Sequence, residues 1–264
     1  MPSAIITTED LTLQYGDTAI LEGIDLDIRR GEIFGILGGS GSGKSTLLRS
    51  MIGLLPPSKG KITVDGREIY NVGHNALTAT LRSIGVAFQS NALFGSLTLL
   101  ENVRLPLEEH TSLPAKAHNL IAKMKLQMVG LAGFEHFLPE EASGGMCKRA
   151  AVARALALDP HIIFLDEPSA GLDPVNSAEL DALIIRLVET LSITVVIVTH
   201  ELPSIYSIVD RAVLLDREDR GIIAEGKPRQ LREQSEDPRV IRFFQRLARE
   251  QDHESTVSAM KEDV

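Results

Sequence analysis

Lys44 stands in the run Gly38-Gly39-Ser40-Gly41-Ser42-Gly43-Lys44-Ser45-Thr46, which fits the spacing G-x-x-x-x-G-K-S/T and directly follows the apolar stretch Ile33-Phe34-Gly35-Ile36-Leu37. Glycines in such a run let the backbone wrap an anion with its N–H groups turned inward, and a helix starting at Lys44 points its positive end at the same anion. The lysine then reaches the β- and γ-phosphates of a nucleoside triphosphate, and the Ser45 hydroxyl holds Mg²⁺. A glycine-rich turn matching by chance would lack the strand before it and the helix-forming Leu47-Leu48-Arg49 after it. A triphosphate site is the first expectation.

A second apolar run, Ile162-Ile163-Phe164-Leu165, ends in two carboxylates, Asp166 and Glu167. Alone they would read as the solvated end of a strand. Beside a phosphate loop, Asp166 is placed to hold Mg²⁺ directly or through water, and Glu167 to polarise the water that attacks the γ-phosphate. Between the two motifs stands Ala142-Ser143-Gly144-Gly145-Met146, ahead of Lys148-Arg149-Ala150. Ser143 is a helix cap, and the first N–H groups of that helix, unobstructed at Gly144 and Gly145, face outward toward an anion.

This third element resembles the signature of ATP-binding-cassette (ABC) ATPases, usually L-S-G-G-Q, and the resemblance extends from about Ile5 to Gly226. It implies an α/β fold: a P-loop NTPase core of the ABC ATPase type with an N-terminal antiparallel β subdomain and an inserted α-helical subdomain. It also implies that Tyr15 stacks on adenine. Gln89 senses Mg²⁺ and the attacking water, Asp173 communicates across a dimer, and His200 contacts the γ-phosphate. In the family the signature of one subunit contacts the nucleotide held by the phosphate loop of another. With one copy of each motif, the chain is expected to work as a head-to-tail homodimer around two ATP molecules.

A narrower resemblance is to the ATPases of MCE-linked lipid transport systems, the Mla type. It rests on Phe88-Gln89-Ser90-Asn91-Ala92-Leu93-Phe94, Glu101-Asn102-Val103, the segment Leu105 to Pro114, Met146, and Asp237-Pro238-Arg239-Val240-Ile241-Arg242-Phe243-Phe244. Asn91 stands where that subgroup commonly has glycine, Ala142 where the signature has leucine, and Gly39 where proline is frequent. The resemblance implies ATP-driven phospholipid trafficking through a separate transmembrane permease, with an MCE-domain lipid-binding protein and a small accessory protein, at the cytoplasmic face of the inner membrane. An amino-acid-type importer ATPase, a soluble cassette ATPase and a nucleotide-gated module without turnover are the other readings.

The elements that must position these residues follow from periodicity. Residues 5–15 and 20–28 alternate apolar with polar around Gly16-Asp17, the pattern of an antiparallel pair. A short helix follows the phosphate loop, then strands at Lys61 to Val64 and Ile84 to Phe88. A helical region runs from Leu97 to about Gly130, broken near Pro106 and Pro114, with another helix from Ser143. Buried parallel strands at Ile162 to Leu165 and Val195 to Val198 flank a helix over 175–191. Two short strands meet at the Asp216 to Arg220 turn, and helices follow at 228–234 and 239–250, the latter docking on its own domain by default, with the partner subunit as the alternative. Residues 1–236 are expected to form a single ATPase domain with a helical insertion at about 97–158, and 237–264 an extension whose last part, from Gln251, is a loose tail.

Composition bounds the rest. A net charge of −9 argues against broad attraction to nucleic acid, and 44% hydrophobic residues suffice for a full core. The single cysteine, Cys147, excludes an intramolecular disulfide; its place at a helix start would lower its pKa, but a structural role is the simpler reading. The start of the chain reads as mature protein without a secretory signal, and apolar stretches fall short of the ~20 residues a membrane span needs. His74, His110, His118, His136, His161 and His253 lack metal-ligand spacing and read as surface residues, as do Lys148 and Arg149.

Overall fold

The computed structural model describes residues 3–245. β1 (Ala4–Tyr15) and β2 (Thr18–Arg29) form the expected antiparallel pair, turning at Gly16-Asp17 with Tyr15 opposite Thr18. β3 (Ile33–Gly38) is buried along its whole length and leads through the glycine run into α1 (Lys44–Met51). β4 (Lys59–Val64) returns to pair with β1, and β5 (Arg67–Glu68) with β4, so the first sheet has the order β2-β1-β4-β5. The short α2 (His74–Leu81), invisible to periodicity, precedes β6 (Ile84–Ala87).

The helical insertion comprises α3 (Leu99–His110), α4 (Ala115–Met128) and α5 (Gly144–Ala155). α3 runs through Pro106 instead of breaking there. One lost N–H bond is outweighed by the capping box of Thr98 with Glu101 at the helix start and by Leu99, Val103 and Leu107 buried along one face. Pro114 does act as a boundary, immediately before α4.

β7 (Ile162–Asp166), α6 (Pro174–Leu191), β8 (Thr194–Val198), α7 (Leu202–Ile208), β9 (Arg211–Asp216) and β10 (Gly221–Gly226) complete a second sheet of order β10-β9-β3-β8-β7-β6, parallel except for β10. Its strands are buried on both faces, and the two-residue period assigns each side chain to a layer. Phe34, Ile36, Phe164, Val196 and Val198 pack with α1 and the first sheet, whereas Ile163, Leu165, Val195 and Ile197 pack with α3 to α6.

α8 (Pro228–Gln234) and α9 (Pro238–Gln245) close the far edge. Val240 and Phe244 are buried with Leu37, Leu202, Ile205 and Leu214, so this part of the extension docks on its own domain. Arg239 adds ion pairs to Asp219 at 2.8 Å and Asp216 at 3.2 Å. The expected helix over 246–250 and the tail over 251–264 lie outside the described residues.

Gly85 sets how closely α5 approaches the sheet. A Cβ there would sit 2.2 Å from the Ala155 carbonyl oxygen, a backbone atom that cannot step aside. Gly85→Ala is therefore expected to cost about 3 kcal/mol, the upper end for overpacking, read as a lower urea midpoint at unchanged m-value.

Candidate nucleotide site

Two glycines of the phosphate loop, Gly38 and Gly43, leave no room for a side chain. Gly38 has φ +149°, and a Cβ would lie 2.4 Å from Ser42 Oγ and 2.6 Å from the Leu215 carbonyl oxygen; at Gly43, φ +96°, it would press on Leu21 at 2.8 Å. Gly39, where proline is frequent, faces open space, so the absence of proline costs no contact. Lys44 folds back over the loop, its Nζ donating to the carbonyls of Gly38 at 2.9 Å and Gly39 at 2.8 Å. Burial lowers the lysine's pKa, opposed by the nearby charges of Glu167 and Asp166. Ser45 and Thr46 lie in the first turn of α1, and Ser40 and Gly41 cap the loop's exposed rim. Tyr15, at the end of β1, is 46% exposed, and its hydroxyl accepts a hydrogen bond from Arg49 of α1 at 3.3 Å. An aromatic face is thereby held beside the phosphate loop.

β7 delivers its two carboxylates to the same place. Burial and the neighbouring Glu167 push the Asp166 pKa up. Glu167 adopts φ +47°, a left-handed conformation that costs a non-glycine residue about 1–2 kcal/mol. Its amide is fixed by the Val198 carbonyl at 2.8 Å, and its Oε1 lies 2.7 Å from Nδ1 of His200. The imidazole itself is 63% exposed and open to a ligand.

Four buried side-chain oxygens in this region have no hydrogen-bond partner: Ser42 Oγ, Asp166 Oδ1, Glu167 Oε2 and Ser169 Oγ. Orphaned polar atoms cost roughly 1–3 kcal/mol each. Ser42 lies on the loop ahead of the α1 N-terminus, and Asp166 and Glu167 act on the Lys44 ammonium, so these three fit a site that a phosphate, a hydrated cation and a water complete. Among the described residues no group of three or more His, Cys, Asp or Glu side chains forms a protein cage for a metal. One carboxylate and a serine hydroxyl are instead the donor set for a hard cation shared with phosphate oxygens.

The signature lies elsewhere. Ser143 caps α5, accepting from the Met146 amide at 3.2 Å, and Ser143 and Gly144 face solvent. Gly145 is buried against Asn176, whose Oδ1 a Cβ would meet at 3.1 Å. Asn176 in turn caps with Asp173, which accepts from the amides of Val175 at 3.0 Å and Asn176 at 3.1 Å at the start of α6. Hydrogen bonds from Asn176 hold the Asp173 carboxyl below its usual range. The signature and the Asp173 loop thus form one unit, and among the described residues no hydrogen bond joins Ser143, Gly144 or Gly145 to the phosphate loop.

Gln89 follows β6, its side chain exposed. The segment after it turns through Asn91 at φ +60° and Ala92 at φ +48°, which explains why glycine is common at the first position and why asparagine serves there. Arg154 of α5 clamps this turn, donating to the Ala92 carbonyl at 2.6 Å and the Asn91 carbonyl at 2.9 Å.

Lys44, Asp166, Glu167 and His200 meet at the phosphate loop, while Ser143, Gly144, Gly145 and Asp173 form a separate unit. Residues 21–170 match the family model described as ABC transporter. The chain belongs to the ABC transporter family. This cassette is 41% identical over 244 residues to the intermembrane phospholipid transport system ATP-binding protein MlaF of Haemophilus influenzae, covering 92% of this chain and 91% of that one. It is 42% identical over 245 residues to the probable ribonucleotide transport ATP-binding protein mkl of Mycobacterium leprae, covering 92% of this chain and 70% of the relative. Among solved structures, the dimeric post-hydrolysis state of the ATP-binding cassette MJ0796 bound to ADP and Pi superposes with a TM-score of 0.76 at 33% identity, covering 84% of this chain and 98% of that one.

Several readings of single residues change. Lys148 is not on the surface of the cassette but buried, bonded to the carbonyls of Gln89 and Glu167. Its signal was its place on the apolar face of α5, in helical register with Gly145, Ala151, Val152 and Ala155, all buried. Arg149 pairs loosely with Glu179 at 3.5 Å. The Cys147 thiol is pushed up by burial, not lowered, and donates to the Pro139 carbonyl, a structural role. His118 is buried, 2.9 Å from Thr111 Oγ1, whereas His110, His136 and His161 are exposed; His253 and the side chain of His74 lie outside the described residues.

Proposed function

We propose that this cassette is the ATP-hydrolysing subunit of a phospholipid-transporting ABC system, acting as a homodimer on a separate permease. The observation that carries the reading is the convergence of Lys44, Asp166 and the Glu167–His200 pair on a cluster of unpartnered oxygens. The likeness to MlaF supplies the substrate class.

In this reading Tyr15 stacks on adenine, and Gly38, Gly39, Ser40, Gly41, Ser42, Gly43, Lys44, Ser45 and Thr46 enclose the phosphates. Ser45, Gln89 and Asp166 would hold Mg²⁺, which would supply charge neutralisation of the triphosphate. Glu167 takes the proton of the attacking water, with His200 fixing the carboxylate through Oε1 and leaving Oε2 free for that proton. Ser143, Gly144, Gly145 and Asp173 serve the partner's nucleotide; the lack, among the described residues, of any hydrogen bond from Ser143, Gly144 or Gly145 to their own phosphate loop and the dimeric state of MJ0796 support this. Binding ATP favours closure because only the closed dimer contacts it from both sides.

No helix of the described residues is long and apolar enough to cross a membrane. The permease is met at a cleft of about 340 Å³ between the helical insertion and β6, lined by Arg82, Gly85, Pro106, His110, Arg154 and Leu158. Arg154 links that cleft to the Gln89 turn. In this reading the cassette works at the cytoplasmic face of the membrane, with an MCE-domain protein and a small accessory protein completing the system and no role for nucleic acid; the likeness to MlaF supports it. Residues 1–236 serve as the ATPase domain and 237–264 as its extension.

Affinity purification of the chain from its native membranes in mild detergent tests the assignment. A permease, an MCE-domain protein and phospholipid are expected together by mass spectrometry. Recovery of a solute-binding protein with nucleotide or amino-acid cargo, or of ribosomal partners, would overturn it.

A further inference from the structure

α5, which begins at the signature, also reaches the backbone of Glu167 through one side chain. Lys148 is 8% exposed, and its Nζ donates to the Gln89 carbonyl at 2.7 Å and to the Glu167 carbonyl at 3.3 Å. Burial lowers the lysine's pKa against the pull of Glu167, Asp166 and Glu201. Packing alone does not explain an ammonium here, since an apolar side chain of similar length fills the space without the desolvation cost. The geometry of the two carbonyls does. In the sheet, Ala87 of β6 pairs with Leu165 of β7, the last such pair of these strands. Gln89 and Glu167 each lie two residues further on, where no ladder bond sets their separation. Lys148 is the group that spans this gap.

We propose that Lys148 is a positioning residue for hydrolysis: its ammonium fixes the Gln89 and Glu167 backbones relative to each other beyond the end of the sheet, and ties both to the helix that bears Ser143, Gly144 and Gly145. Movement of the signature helix is thereby felt at the attacking water. Arg154, further along α5, clamps the same turn at Asn91 and Ala92, so the helix holds it at two points. The inference rests on Glu167 as the base and Gln89 as the water-sensing residue, and Glu167→Gln tests that reading separately.

Steady-state hydrolysis by the full chain carrying Lys148→Met, Lys148→Arg, Gln89→Ala and Lys148→Met/Gln89→Ala decides it. Misplacing reacting groups by about 1 Å costs up to ~10²-fold, so Lys148→Met is expected to lower kcat by about 10- to 100-fold. The KM for ATP and the nucleotide-free Tm stay near wild type, and Lys148→Arg, which keeps donors for both carbonyls, recovers most of kcat. Because part of what Lys148 does is to place the Gln89 side chain, the double variant should be slowed by less than the product of the two single losses. Wild-type kcat in Lys148→Met, losses that multiply with Gln89→Ala, or kcat, ATP affinity and Tm falling together would each overturn the proposal. If Lys148→Met does not fold, Lys148→Gln replaces it, and failure of both to fold assigns the lysine to structure alone. An inactive Glu167→Gln beside a normal Lys148→Met would refute this inference and leave the proposed function standing.

Discussion

Glu167→Gln is expected to reduce ATP turnover by about 10²- to 10³-fold, within the range a positioned general base supplies, while ATP still binds. The substitution keeps the side chain's shape and its place at the end of β7. It removes only the capacity to accept the proton at Oε2, the buried oxygen without a protein partner. Lys44, Ser45 and Asp166 are untouched, so the contacts that hold the triphosphate remain. With hydrolysis blocked, the state favoured by ATP from both sides of the interface persists. Size-exclusion chromatography with ATP should show a stable dimer for the variant and a transient one for the wild type. Phosphate release within a few-fold of wild type would remove Glu167 from its role and return attention to His200, the other group facing this position.

How much of this was readable from sequence differs by the kind of interaction. The phosphate loop, the acidic strand end and the Ser143 cap are local: each is a short run whose residue types answer a backbone requirement, and each stands where its spacing put it. Strands β3, β7 and β8 announced themselves by continuous apolar runs because both their faces are covered. What sequence hid is what depends on distant partners. Lys148 looked like surface because a lysine usually is, and only the carbonyls of residues 89 and 167, brought together by strand pairing, explain it. Asn176 drew no notice because its contact with Gly145 joins two helices. Pro106 read as a helix break, yet the capping box and the packed face of α3 outweigh one missing bond. The eight-residue α2 was too short for periodicity to register.

Lys44→Ala is expected to cut sharply the stabilisation that ATP gives this cassette while leaving the nucleotide-free fold intact. The ammonium's two protein bonds, to the carbonyls of Gly38 and Gly39, cross a loop already fixed by Gly38 and Gly43, so the loop does not depend on them. Burial lowers this lysine's pKa: the charged form is disfavoured in the folded state at every pH below the folded pKa, and that cost is relieved as pH rises through it. Alanine removes the cost at neutral pH along with the bonds. Toward ATP the balance reverses. Without Lys44, Asp166 and Glu167 face the phosphates with one countercharge fewer, only Arg49 and Lys148 remaining near them, and a charge-assisted bond worth about 1.5–3 kcal/mol is lost, roughly a 10- to 150-fold weaker Kd. At ATP one hundred times the wild-type Kd, binding stabilises the wild type by about 2.7 kcal/mol, whereas a hundredfold weaker variant gains only about 0.4 kcal/mol. Thermal unfolding with and without ATP measures both halves. A Tm shift equal to that of the wild type would show that the phosphates are held elsewhere, and a collapsed nucleotide-free Tm would show that Lys44 braces the loop before any ligand arrives.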